Sequence, residues 1–170
     1  MLKFRDIQQF TKTPGYKVDV FMEDFENWIE DKMRGLGLDL CPDFQRGHVW
    51  TEEQQVRYIE YILRGGTSGR DFYFNHPGWF RDWKGEYVCV DGLQRITAVL
   101  RFLKNEIPVF GHYRNEYEDS LPFSVNFHWH VNDLQKKEDV LMWYLEMNEG
   151  GTPHTQEELN KVRNMLEGSK

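Results

Sequence analysis

An acid, a glycine, a glutamine and an arginine stand together in Asp91-Gly92-Leu93-Gln94-Arg95, where an apolar strand-like run ends and helical apolar spacing begins. Val88, Cys89 and Val90 precede the group; Ile96, Val99, Leu100 and Leu103 follow it. Strand, tight turn and helix start, with both charges at the junction, is a layout suited to phosphate. A helix N-terminus presents unpaired backbone N–H groups and a partial positive charge. Gly92 lets the backbone approach a ligand closely. Arg95 can fork onto phosphate oxygens, and Asp91 can hold a metal or a water.

A second polar pair, Gln45-Arg46, lies in the segment Pro42-Asp43-Phe44-Gln45-Arg46-Gly47-His48-Val49-Trp50. Facing Gln94 and Arg95 across one pocket, it would suit an anion with several oxygens; alternatively Arg46 ties its loop to Asp43 or Glu53. His48 is the histidine closest to this chemistry, with a loop-stabilising hydrogen bond as its plainer role. His128 and His130 share one side of a strand at a spacing that can chelate a metal. No third ligand accompanies them, so surface or hydrogen-bonded histidines are expected. Trp79, Phe80 and Trp83 either stack on a base or anchor their loop in the core.

The elements that must position these residues follow from periodicity. Phe21, Phe25, Trp28, Ile29 and Met33 recur at helical spacing up to Gly35 and Gly37. Leu38 to Cys41 reads as a short strand. Thr51 and Gln54 make a capping box for a helix with Val56, Ile59, Ile62 and Leu63 inward, closed by Gly65-Gly66. Strands are expected over 71–75, 86–90 and 107–110, with a helix from the Asp91 turn to about Lys104. Phe123, Val125, Phe127, Trp129 and Val131 alternate with Ser124, Asn126, His128 and His130, a half-buried strand. Helices are expected over 135–147 and after Thr155, where Glu158 completes another capping box. Residues 1–19 show only a turn at Pro14-Gly15. With no repeat or linker, one α+β domain over residues 1–170 is the economical reading.

Composition narrows the partners. The net charge of -7 argues against general coating of duplex DNA. Residues 42–104 nevertheless carry nine Lys/Arg against eight Asp/Glu, so this centre is +1 and the rest -8. A local anion site fits better than a long nucleic-acid track. Cys41 and Cys89 form no C-x-x-C pair and are expected as buried free thiols in a reducing cytoplasm. The N-terminus lacks the apolar run of a signal peptide, and no stretch reaches membrane-spanning length, so a cytoplasmic protein without membrane contact is expected.

Asp91-Gly92-Leu93-Gln94-Arg95 resembles the DGQQR motif of a domain family that forms the N-terminal part of GmrSD-type restriction enzymes, within the ParB/sulfiredoxin-like superfamily. Pro42-x-Phe44-Gln45-Arg46 with Trp50 resembles that family's P-x-F-Q-R…W segment. Ile59-x-x-Ile62-Leu63-x-Gly65 resembles its next element, and Asn148 through Pro153 resembles an N-x-G-x-P stretch. The resemblance runs from about residue 40 to about 160. It implies an α+β, ParB/sulfiredoxin-like fold with a small mixed sheet and helices packed around it. It also implies a nucleoside triphosphate ligand with Mg²⁺, often hydrolysed. Carried over, Asp91, Gln94 and Arg95 would be the catalytic residues, with Asp91 at the metal. Gln45, Arg46, His48, Gly92 and Arg95 would hold the nucleotide.

Leu93 departs from the motif's first Gln and removes a polar side chain, which bears on catalysis more than on binding. No H-N-H nuclease segment follows in this sequence, so a stand-alone protein of phage, mobile-element or defence context is expected. The competing reading is a catalytically silent module that engages a partner protein or modified DNA. A ParB-like DNA nuclease is the weakest reading, because the sequence has no carboxylate cluster for two metals.

Overall fold

The computed structural model describes residues 3–7, 9, 15–149 and 156–168. Four strands form one mixed sheet in the order β1-β4-β2-β3. They are β1 (Tyr16–Phe21), β2 (Asp71–Asn75), β3 (Val88–Asp91) and β4 (Asn126–Asn132). The helices are α1 (Phe25–Leu36), α2 (Glu52–Leu63), α3 (Leu93–Leu103), α4 (Lys137–Glu149) and α5 (Gln156–Gly168). β4 lies inside the sheet, antiparallel to β1 and parallel to β2; β2 and β3 are antiparallel. Strands and helices mix in one small domain, as the periodicity implied, and the sheet is the small mixed one that the family resemblance implied.

Strand alternation divides the interior into two clusters. Phe72 and Phe74 of β2, Cys89 of β3, and Phe127, Trp129 and Val131 of β4 face the main core. There they meet Phe25 and Ile29 of α1, Ile59 and Ile62 of α2, and Ile96, Val99 and Phe102 of α3. Each fully buried Phe contributes about 1.5–3 kcal/mol of transfer free energy. Phe74 stacks on Trp129 at 3.7 Å between ring centroids, and the Trp129 indole N–H donates to the Tyr87 hydroxyl. Val88 and Val90 point the other way, into a second cluster with Phe44, Leu141, Tyr144 and Val162. β3 is therefore buried on both faces, which is why 88–90 is continuously apolar rather than alternating.

Helix ends follow local chemistry. Gly37 caps α1 at φ 66°. At α2, Thr51 Oγ1 accepts from Gln54 N–H while the Gln54 side chain accepts from Thr51 N–H, the expected capping box.

Several expectations are corrected. Residues 16–21 form the strand β1, where the reading of the sequence had only a mixed segment; Tyr16, Val18 and Val20 alternate there with the exposed Lys17 and Asp19. Phe21 ends that strand instead of opening α1. Segment 38–41 contributes a single bridge, Asp39 to Val88, because the Asp39 carboxylate turns back to accept from Cys41 N–H. Segment 107–110 ends in a turn closed by the Val109–His112 bridge, with Phe110 at φ 50°. Phe123 is 80% exposed and lies outside β4. Cys41 is exposed; Cys89 is buried. The Thr155–Glu158 capping box and residues 150–153 of the Asn148–Pro153 stretch lie outside the described residues, as does Pro14. Among the described residues no helix is long and apolar enough to cross a membrane.

Candidate functional site

β3 ends at Asp91, the chain turns at Gly92, and α3 begins at Leu93. Gly92 has φ 124°, and a Cβ there would stand 2.6 Å from Cδ1 of Phe72, a fully buried ring. Both facts demand glycine. The same ring supports Arg95, whose guanidinium carbon is 5.4 Å from its centroid. Arg95 Nη2 donates to Asp91 Oδ2 at 2.5 Å, and Nη1 donates to the Asp71 carbonyl at 2.9 Å. Three elements thus fix one guanidinium: β2, β3 and its own helix.

A cleft of about 290 Å³ opens over this turn. Gln45, Arg46 and Trp50, Gly69, the turn Asp91 through Arg95, and Met147 and Asn148 of α4 line it. Arg46 and Arg95, 49 positions apart in sequence, therefore share one cavity. Asp43 and Glu53, the two carboxylates considered as anchors for Arg46, instead meet Lys137 and Arg57. Gln45 Nε2 donates to the Val90 carbonyl at 3.3 Å, holding the Arg46 segment against β3.

Gln94 is committed to the loop before α2. Its Oε1 accepts from Val49 N–H at 2.8 Å and Trp50 N–H at 3.1 Å, and its Nε2 donates to the Gly47 carbonyl at 3.1 Å. The side chain thereby clamps residues 47–50 beside the cleft. His48 is not among the lining residues. Its Nε2 meets Gln55 Nε2 at 2.9 Å, which requires an unprotonated ring nitrogen there. Burial of that ring edge, and then the charge of Arg101, hold His48 below its ordinary value of 6.5. Gln55 also donates to the Trp50 carbonyl and accepts from Arg101 Nη1, so the loop is tied to α2 and α3 at both ends.

The histidines of β4 are partnered. His128 Nδ1 meets Asp19 Oδ1 and His130 Nε2 meets Asp71 Oδ1, each at 2.7 Å. No group of three or more His, Cys, Asp or Glu able to hold a metal occurs among the described residues. Of the aromatic loop, Trp79 is buried, whereas Phe80 and Trp83 are about half exposed. Tyr73 stacks on His130 and lies beside Asp91. Burial first, then the carboxylates of Asp71 and Asp91, push its hydroxyl above the ordinary 10.0, so it stays protonated.

Sequence reasoning missed three supports of this site. Gln55 carried a readable signal: it lies four before Ile59 and seven before Ile62, a polar residue on the buried stripe of α2. Asn148 was marked only as the start of the Asn148–Pro153 stretch, with no role at the cleft, and Asp71 contributes a backbone oxygen that no side-chain pattern reveals.

The sequence model of one protein family, described as GmrSD restriction endonuclease, N-terminal domain, matches residues 25–129. Arg46, Asp91, Gln94 and Arg95 all fall inside the match. No curated protein and no solved structure matches the chain.

Proposed function

The chain belongs to the family of GmrSD restriction endonuclease N-terminal domains, a restriction-related and so defence-related family, and we propose that its cleft binds a nucleoside triphosphate. One observation carries the reading: Arg46 and Arg95 line the same cavity, over a glycine turn that opens a helix N-terminus. The cavity is of the size that takes a small ligand. Arg46 supplies charge from the loop side. Backbone N–H groups at the start of α3 supply directed donors to phosphate oxygens. Arg95, fixed by Asp91 and Asp71, presents its remaining N–H capacity without having to reorganise. Trp50 and Met147 offer apolar contact for the nucleoside. The ParB/sulfiredoxin-like assignment that accompanies this reading rests on the motif resemblance.

Among the described lining residues Asp91 is the one carboxylate, and its Oδ2 faces Arg95. That donor set fits Mg²⁺ carried in on the phosphates and touched by one carboxylate oxygen, rather than an ion caged by protein alone. When bound, Mg²⁺ neutralises charge on the phosphate oxygens. The chain's own part is to bind and orient the phosphates. Leu93 is an apolar, nearly buried wall of the cleft, where a polar side chain would otherwise orient water. This favours binding over hydrolysis.

The test is calorimetric titration of the four ribonucleoside triphosphates with Mg²⁺, run beside a phosphate-release assay. Binding of at least one nucleotide, weakened about tenfold or more in Arg46→Ala, is expected. Absence of binding by all four would overturn the reading. Phosphate release lost in Asp91→Ala would extend it to hydrolysis.

A further inference from the structure

β1 is an edge strand, and its two sides have different partners. Met22 N–H donates to the Val125 carbonyl at 2.9 Å, in step with the pairs Val20↔Phe127, Val18↔Trp129 and Tyr16↔Val131. Antiparallel strands alternate between residues whose backbone groups face the neighbour and residues whose groups face away. The even-numbered residues of β1 therefore face β4. The N–H and C=O groups of Lys17, Asp19 and Phe21 point out of the sheet edge. Among the described residues no backbone group pairs with them there. At the opposite edge, by contrast, β3 is covered: Cys89 N–H donates to the Asp39 carbonyl, and Asp39 N–H donates to the Tyr87 carbonyl.

We propose that this edge pairs with the β1 edge of a second copy of the chain, antiparallel about Val18, through reciprocal Lys17–Asp19 pairs. Outward-facing backbone groups can bond only to outward-facing ones, so odd residues must meet odd residues. Pairing about Val18 sets Lys17 of each copy opposite Asp19 of the other, twice by the two-fold symmetry. Both residues are exposed, and their side chains lie on one face of the sheet. Sliding the register by two residues either way sets Lys17 against Lys17 or Asp19 against Asp19. Directly opposed like charges are destabilising. The sequence of the edge thus selects one register and disfavours its neighbours.

The ends of the strand agree. In this register Phe21 of one copy comes opposite Gly15 of the other, which has no Cβ to oppose the ring. Phe21 is 40% exposed and packs edge-on against Phe123, itself 80% exposed. Two exposed rings at the end of an open strand are a surface that self-pairing would cover. The result is an eight-stranded sheet, twice the four strands of one copy. This inference is independent of what the cleft binds.

Sedimentation velocity of the full chain across a wide concentration series tests it, with circular dichroism to verify folding. The wild type is expected at twice the 20.5 kDa chain mass. Lys17→Asp and Asp19→Lys are each expected at the single-chain mass, and the double variant Lys17→Asp/Asp19→Lys is expected to return to the doubled mass. A wild type that stays at single-chain mass throughout overturns the proposal. So does a Lys17→Asp variant that assembles like wild type, or a folded double variant that remains single. Should Asp19→Lys fail to fold for want of its His128 partner, Lys17→Asp alone decides the matter.

Discussion

Arg95 and Asp91 lie one helical turn apart across the β3–α3 junction and are joined by a 2.5 Å hydrogen bond, with 17% of the Arg95 side chain and 35% of the Asp91 side chain exposed. The acid and the base that mark this turn thus neutralise each other before any ligand arrives. Removing either one strands a partly buried charge. Arg95→Ala also frees the Asp71 carbonyl. Allowing for the solvent access of Asp91, a loss of about 1–2 kcal/mol is expected for Arg95→Ala. Urea denaturation monitored by tryptophan fluorescence measures it; an unchanged midpoint would show the pair contributes nothing to stability.

Gly92→Ala should be costlier. The substitution meets both a φ of 124° and the Phe72 ring at 2.6 Å. Strain and overpacking of this kind cost about 2–4 kcal/mol together. Gly69→Ala makes the informative comparison, since φ is 75° there but the nearest atom to a Cβ, in Tyr58, is 3.4 Å away. The same urea titration should rank Gly92→Ala as clearly the more damaging.

Gln94→Ala removes three hydrogen bonds from residues 47–50 without leaving a cavity in the core. The fold should persist while the loop loosens. Amide hydrogen exchange at Val49 and Trp50 is expected to accelerate about tenfold, corresponding to about 1.4 kcal/mol of local opening free energy. Exchange at these amides indistinguishable from wild type would refute the clamp.

His76 gives the protein a pH dependence. It is 1% exposed, and its Nδ1 accepts from Gly78 N–H, so the neutral ring is the one the fold holds. Burial lowers its pKa from the ordinary 6.5. Below that value the unfolded chain takes up a proton that the folded chain resists, so stability is present above about pH 6.5 and lost as pH falls. The loss is about 1.4 kcal/mol per pH unit at most, or about 3–6 °C in Tm. In His76→Asn, whose oxygen can still accept from Gly78 N–H, the decline in Tm between pH 6.5 and 5.5 should be shallower than in wild type. Parallel Tm curves would assign the acid sensitivity to other groups.

What the sequence disclosed and what it hid divide along physical lines. The β3–α3 turn was legible because both its apolar run and its glycine are local signals. The capping box at Thr51 was equally so. Whether Arg46 reaches Arg95 was not, since their meeting depends on how the 42–50 loop lies against β3, fixed by Gln45 on a backbone carbonyl and by Gln94 on two N–H groups. The motif's place for Gln94 suggests a catalytic residue; its three bonds into the loop are long-range contacts that no spacing encodes. β1 is short, but the alternation of Tyr16, Val18 and Val20 with Lys17 and Asp19 is a local signal that the sequence carries and that the reading of residues 1–19 overlooked.

The central place of β4 also governs how the chain must assemble. β2 and β3 are close in sequence, but β1 joins the sheet only through β4, with Tyr16 paired to Val131. More than a hundred residues must be spanned before that contact forms, and loop closure over such distances carries an entropic cost that local contacts cannot offset in advance. On a ribosome, β1 would emerge first and wait, edge groups unpaired, until β4 follows. The interval between those two events is when the chain is most exposed to mispairing, and it sets a lower limit on how soon the sheet can close.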